Sequence, residues 1–129
     1  MTWKTILFVL ILFTPVAAAA PDISGAWAVN GELAGNGGGL FTAACTFQQK
    51  ADKLDGVCKR ASGDNKASGS VTEQGVSFQY DIDRQGATLT FRFAGTLDKD
   101  GAGISGQVTV LNPGGGDFEG TFTAKKEKK

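Results

Sequence analysis

Apolar and polar residues alternate along most of this chain beyond its first twenty positions. In "VSFQYDI", Val76, Phe78, Tyr80 and Ile82 share one parity, and Ser77, Gln79 and Asp81 share the other. In "ATLTFRFAGTL", Leu89, Phe91, Phe93 and Leu97 stand opposite Thr88, Thr90, Arg92 and Thr96. Residues two apart lie on one face of a strand, so each segment predicts a strand with one buried and one wet face. Turn-forming residues separate the segments: "NGELAGNGGG", "KADK", "SGDNK", "TEQG", "DRQG", "DKDGAG" and "NPGGGD". Seven turns delimit eight strands, near residues 24–30, 40–50, 54–60, 67–72, 76–83, 87–97, 104–111 and 118–125. No stretch after the first twenty residues has the spacing of an amphipathic helix.

A second pattern lies over the first. The unit apolar-x-Gly-x-apolar recurs as "ISGAW", "LDGVC", "ASGSV", "FAGTL", "ISGQV" and "FEGTF". Each glycine shares the parity of its apolar neighbours and so falls on the buried face, where a missing side chain lets a sheet bend. Short connections favour sequential antiparallel neighbours, and closure would remove exposed edges. The expected fold is therefore all-β, an eight-stranded antiparallel up-and-down barrel, with a two-sheet β-sandwich as the alternative. A tight turn at "KADK" would set Cys45 opposite Cys58, Phe47 opposite Gly56 and Gln49 opposite Leu54, with both cysteines on one face at bridging distance.

The opening "SGAWAVN" resembles the Gly-x-Trp start of calycin barrels, the group that includes lipocalins and avidins, and "GTFTAKK" is similar to the last strand of avidin-like chains. The whole segment 23–126 resembles small exported bacterial barrels of this type. The resemblance implies a closed barrel with Trp27 plugging one end. It rests on barrel-forming positions and so speaks to fold more than to function.

The first residues change the picture of where this barrel works. Lys4, the apolar run "ILFVLILF" and the small residues of "TPVAAAA" read as an export signal over 1–19, leaving a single domain over 20–129. The apolar run falls short of the roughly 20 residues of a spanning helix, so no membrane association is expected once the signal is removed. A secreted or periplasmic chain meets oxidising conditions, in which the only two cysteines, Cys45 and Cys58, are expected to form a disulfide.

Charge and chemistry narrow the function by exclusion. The chain carries 13 basic and 13 acidic residues, and loss of Lys4 leaves it close to neutral, so nucleic acid is not an expected partner. There is no histidine, which removes the commonest general base and the commonest zinc ligand. "GNGGG" lacks the Lys-Ser/Thr of a phosphate loop, and "DKDGAG" lacks the later ligands of a calcium loop. The carboxylate pairs Asp81/Asp83, Asp98/Asp100 and Asp117/Glu119 fall on wet faces or beside turns. No catalytic residue, metal or cofactor is expected.

The inner face reads as wholly uncharged: Ile23, Trp27, Val29, Phe41, Phe47, Phe78, Tyr80, Leu89, Phe91, Phe93, Val108, Phe118 and Phe122. This gives the expectation of a non-catalytic barrel that binds a small apolar ligand, contacted by Trp27, Phe47, Phe78, Tyr80, Phe91 and Phe93. Its place would be a mouth near Trp27, Tyr80 and the segment from Gly31 to Gly39. The alternative is a protein-interaction module such as a protease inhibitor. In its opening strand and early disulfide the chain resembles exported bacterial metalloprotease inhibitors, but it has few residues ahead of "ISGAW" to serve as their extended N-terminal segment.

Overall fold

The computed structural model describes residues 20–35 and 39–127. The expected export signal lies outside the described residues, as do Asn36, Gly37 and Gly38 of the glycine-rich segment. Eight strands follow one another: β1 (Gly25–Leu33), β2 (Gly39–Lys50), β3 (Lys53–Arg60), β4 (Gly63–Thr72), β5 (Gly75–Arg84), β6 (Ala87–Leu97), β7 (Gly103–Leu111) and β8 (Phe118–Lys126). Each pairs antiparallel with the next, and β8 pairs with β1, so the sheet closes into an up-and-down barrel without free edges. The sandwich alternative is thereby replaced. Among the described residues no helix is long and apolar enough to cross a membrane.

The β2–β3 hairpin has the expected register. Cys45 faces Cys58, Phe47 faces Gly56 and Gln49 faces Leu54. Ala51 and Asp52 form the turn, with Ala51 in the left-handed region at φ 57°. Such a turn has the twist of the strands it joins, which fixes the pairing on both sides. Both cysteines then point inward, and they are joined as a disulfide inside the barrel.

Two strands are longer than turn chemistry suggests. Gly31–Leu33 of "NGELAGNGGG" continue β1, held on both sides by Phe41–Gly39 of β2 and Phe122–Gly120 of β8. Gly63–Lys66 of "SGDNK" open β4 and pair with Val57–Arg60. Gly, Asn and Asp favour turns when judged alone. Here ladder pairing, on two sides in β1 and with β3 alone in β4, outweighs that local preference, which spans only about 1 kcal/mol per residue.

Gly56, Gly69, Gly95, Gly106 and Gly120 of the repeat sit where the backbone of a neighbouring strand comes close. A Cβ at Gly56 would collide with the Thr46 carbonyl, and one at Gly106 with the Ala94 carbonyl and with Gly95 in the facing strand. Gly95 and Gly106 are direct partners across β6 and β7. Side-chain-free positions on the inner face are therefore what permits the tight coiling of this barrel.

The residues expected on the inner face are buried, except Ile82, Leu97 and Phe118, which are half-buried near the ends of their strands. Aromatic rings fill the interior. Phe78 stacks on Phe93 with centroids 4.4 Å apart, and Phe47 meets Phe78 edge-on at 5.0 Å. Phe93 and Phe122 are 5.1 Å apart. Such pairs contribute about 0.5–1.5 kcal/mol each beyond the area they bury.

One expectation about this face is corrected. The inner face is not wholly uncharged, because Arg60 follows Leu54, Gly56 and Cys58 at the same parity and ends β3 on the inside, half-buried. The barrel's length is the reason: the alternation continues up to the rim, where the long Arg60 side chain turns over the Phe91 ring.

Candidate functional site

Antiparallel order gives the barrel two distinct ends. At one lie the entry to β1 and the β2–β3, β4–β5 and β6–β7 turns. The other carries the β1–β2, β3–β4, β5–β6 and β7–β8 connections. Trp27, third residue of β1, belongs to the first end, whereas Tyr80 lies beneath Arg60 toward the second. The expected single mouth around Trp27, Tyr80 and the Gly31–Gly39 segment is thus divided between opposite ends.

The Trp27 end is sealed. Trp27 is fully buried, and its indole Nε1 donates to the Ile23 carbonyl at 2.8 Å. The Ile23 N–H donates to Gln49 Oε1 at 2.8 Å, and the Gln49 N–H donates to Ser24 Oγ at 3.0 Å. Gln49 Nε2 reaches the Ala51 carbonyl at 2.9 Å. The Ser24 N–H in turn donates to Asp22 Oδ1 at 2.9 Å, and this bond holds the exposed Asp22 carboxyl below its ordinary range. Residues ahead of β1 are tied across to β2, so the plug is fixed by polar bonds as well as by packing.

The opposite end is built differently. Leu33, Ile82 and Phe118 are half-buried around the rim, and Phe41 packs just inside it. A Cβ at Gly31 would run into the Phe41 ring, so that ring lies flat against the β1 backbone. Phe41 meets Phe91 edge-on at 5.5 Å. The Phe91 ring is stacked with Tyr80 at 5.2 Å, and the Arg60 guanidinium lies 4.8 Å from its centroid. Phe91 therefore holds both polar side chains in place, the cation by its π-face and the phenol by stacking.

Neither polar group is satisfied. Among the described residues, Arg60 Nη1 and Tyr80 Oη are the two buried side-chain polar atoms without a hydrogen-bond partner. Burial pushes the Tyr80 phenol up to about 12, against the opposing pull of the Arg60 charge. At neutral pH the pair thus consists of a protonated hydroxyl and a cation. An unmet buried donor costs about 1–3 kcal/mol, and phenylalanine in place of Tyr80 would avoid that cost.

The other residues expected to contact a ligand fall into two groups. Phe91 and Tyr80 belong to the mouth, while Phe47, Phe78 and Phe93 pack on one another deeper in the core with Trp27 beyond them. Arg60 was not among them. Its signal was the unbroken parity of "LDGVCKR", in which Leu54, Gly56 and Cys58 precede it on the inner face.

The surface carboxylates serve the sheet and its turns. Thr90 Oγ1 donates to Asp81 at 2.7 Å, and Thr88 Oγ1 donates to Asp83 at 3.1 Å across the β5–β6 pair. Asp100 and Asp117 accept backbone N–H groups of their own turns. Among the described residues no three Asp, Glu, Cys or His side chains gather into a metal-binding group. A shallow hollow of about 600 Å³ crosses the outer wall of β4–β7, over Ser70, Ser77, Gln79, Arg92 and Gln107. Its side chains face solvent, and no orphaned polar atom lies in it.

Fold and site together define a disulfide-tied closed β-barrel with one plugged end and one polar, aromatic mouth. No known protein family and no characterised protein matches this chain.

Proposed function

We propose that the protein is an exported, non-catalytic binding barrel of calycin-like type that takes a small, largely apolar molecule at the Arg60–Tyr80 mouth. One observation carries the reading: both orphaned buried polar atoms of the described residues lie at the same end, beside a half-buried apolar rim. Buried polar groups are almost always paired, so two unpaired ones in one place call for a partner that arrives from outside. The internal disulfide is consistent with an oxidising compartment. Aromatic rings fill the barrel interior, so this reading puts the ligand at the rim, over Phe41 and Phe91, and not along the axis.

Nile red, a neutral fluorescent probe, tests this reading. Saturable binding is expected, abolished by Leu33→Glu at the mouth and retained by Leu97→Glu, which changes a half-buried leucine at the opposite end. Absence of saturable binding, or equal loss in both variants, would overturn it.

A second reading, a protein-contact module, has one observation in its favour. Leu40, at the base of the glycine-rich connection, is 84% exposed on the outer wall. A partner docked there would protect the amide hydrogens of Gly39–Phe41 from exchange without touching Arg60 or Tyr80.

A further inference from the structure

The orphaned pair also specifies the chemistry of what it binds. Arg60 Nη1 can only donate a hydrogen bond. Tyr80 Oη, neutral at physiological pH, has its proton to give and no acceptor for it. Two donors converge on one mouth, and one of them carries a full positive charge. A ligand that satisfies both must present acceptors, and a negatively charged ligand is favoured over a neutral one.

The arrangement around Phe91 bears on the shape of that group. The Arg60 guanidinium carbon lies 4.8 Å from the centre of the Phe91 ring, and its Nη1 is the unpaired donor. Tyr80 is stacked on the same ring, 10° from parallel, so its hydroxyl projects from the edge of the stack. A carboxylate brings two acceptor oxygens, one for each donor, and a negative charge to match Arg60. A carbonyl or hydroxyl oxygen would satisfy one donor and leave the charge unmatched.

We infer that the mouth recognises the carboxylate of a small apolar acid, held between Arg60 Nη1 and Tyr80 Oη with its apolar body against Phe41 and the rim. This inference rests on the proposed binding function and adds the ligand class to it. Among the described residues no acidic side chain meets either donor.

The experiment compares benzoate and octanoate with benzyl alcohol and octanol, neutral counterparts of the same skeletons, by calorimetry on the wild-type protein and on Arg60→Gln and Tyr80→Phe. The acids are expected to bind about tenfold or more tightly than the alcohols, and each variant to lose about tenfold in acid affinity with a smaller loss for the alcohols. Arg92→Gln, which removes a cation from the outer wall, is expected to leave both unchanged. Tyr80 is the only tyrosine, so phenolate absorbance reports this site alone. Bound octanoate should move its titration to higher pH, because a neighbouring anion disfavours the phenolate. Should Arg60→Gln fail to fold, Tyr80→Phe and the absorbance titration still decide the matter. Alcohols bound as tightly as acids, or acid affinity unaffected by the variants, would overturn the carboxylate inference and leave the binding function standing. Binding of neither series would overturn both.

Discussion

The two ends of the barrel use the same strands for opposite purposes. At the Trp27 end, the indole, the Ile23 amide and the Gln49 side chain all have partners between 2.8 and 2.9 Å. At the other, Arg60 Nη1 and Tyr80 Oη have none among the described residues. Both ends are aromatic and well packed, so packing does not distinguish them. Hydrogen-bond satisfaction does. A closed network fixes one geometry and contributes stability, whereas unpaired buried donors subtract from stability and leave interaction energy for another molecule.

Changes at each end should therefore differ in size and in sign. The largest effect is expected from Trp27→Ala, which empties the plug and orphans the Ile23 carbonyl: a loss of about 3–5 kcal/mol, read as a lower urea midpoint. A loss below about 1 kcal/mol would mean that the plug does not hold that end.

Alkaline titration gives the next effect, and it belongs to the mouth. Tyr80 is raised from 10.0 to about 12 in the folded protein, so its neutral form is the one the fold favours. The stabilisation is complete below pH 10, where folded and unfolded chains both keep the proton. It is lost as pH rises toward about 12, because the unfolded chain ionises first. The loss amounts to about 2–3 kcal/mol. Denaturant curves between pH 9 and 12 measure it, and Tyr80→Phe should remove most of this slope.

Gln49→Ala cuts the bonds to Ile23 and Ala51 and should cost about 1–2 kcal/mol at neutral pH. The smallest change has the opposite sign. Tyr80→Phe deletes an unpaired hydroxyl and keeps the stack on Phe91, so it should leave stability equal or raise it by up to about 1 kcal/mol. If it instead destabilised as much as Gln49→Ala, the hydroxyl would have a structural partner and the contrast between the ends would fail.

Much of this barrel is legible in the chain because alternation is a local property. A strand sends successive side chains to opposite faces whatever it pairs with, so Val76, Phe78 and Tyr80 or Leu89, Phe91 and Phe93 announce one buried face. The Cys45–Cys58 register was legible for the same kind of reason. A two-residue turn between Lys50 and Lys53 leaves one alignment that sets two cysteines opposite and Phe47 over Gly56. The mouth was less legible. Its aromatic members, Tyr80 and Phe91, stand in the pattern, but Arg60 looks like an ordinary solvated charge until the inner parity of β3 is followed to its last residue.

The sequence by itself determined an all-β chain of eight amphipathic strands, the placing of its glycines on the concave face and the partner of each cysteine. These follow from periodicity and from turns a few residues long. Only the tertiary structure decided that β8 closes onto β1, that Gly31–Leu33 and Gly63–Lys66 are strand, and that Trp27 and Tyr80 belong to opposite ends. It alone decided which buried polar atoms have partners. A ladder or a hydrogen bond needs both of its halves, and in a closed barrel one half is often far along the chain: Gly31 pairs with Phe122, and Phe91 brings together Arg60 and Tyr80 from two other strands.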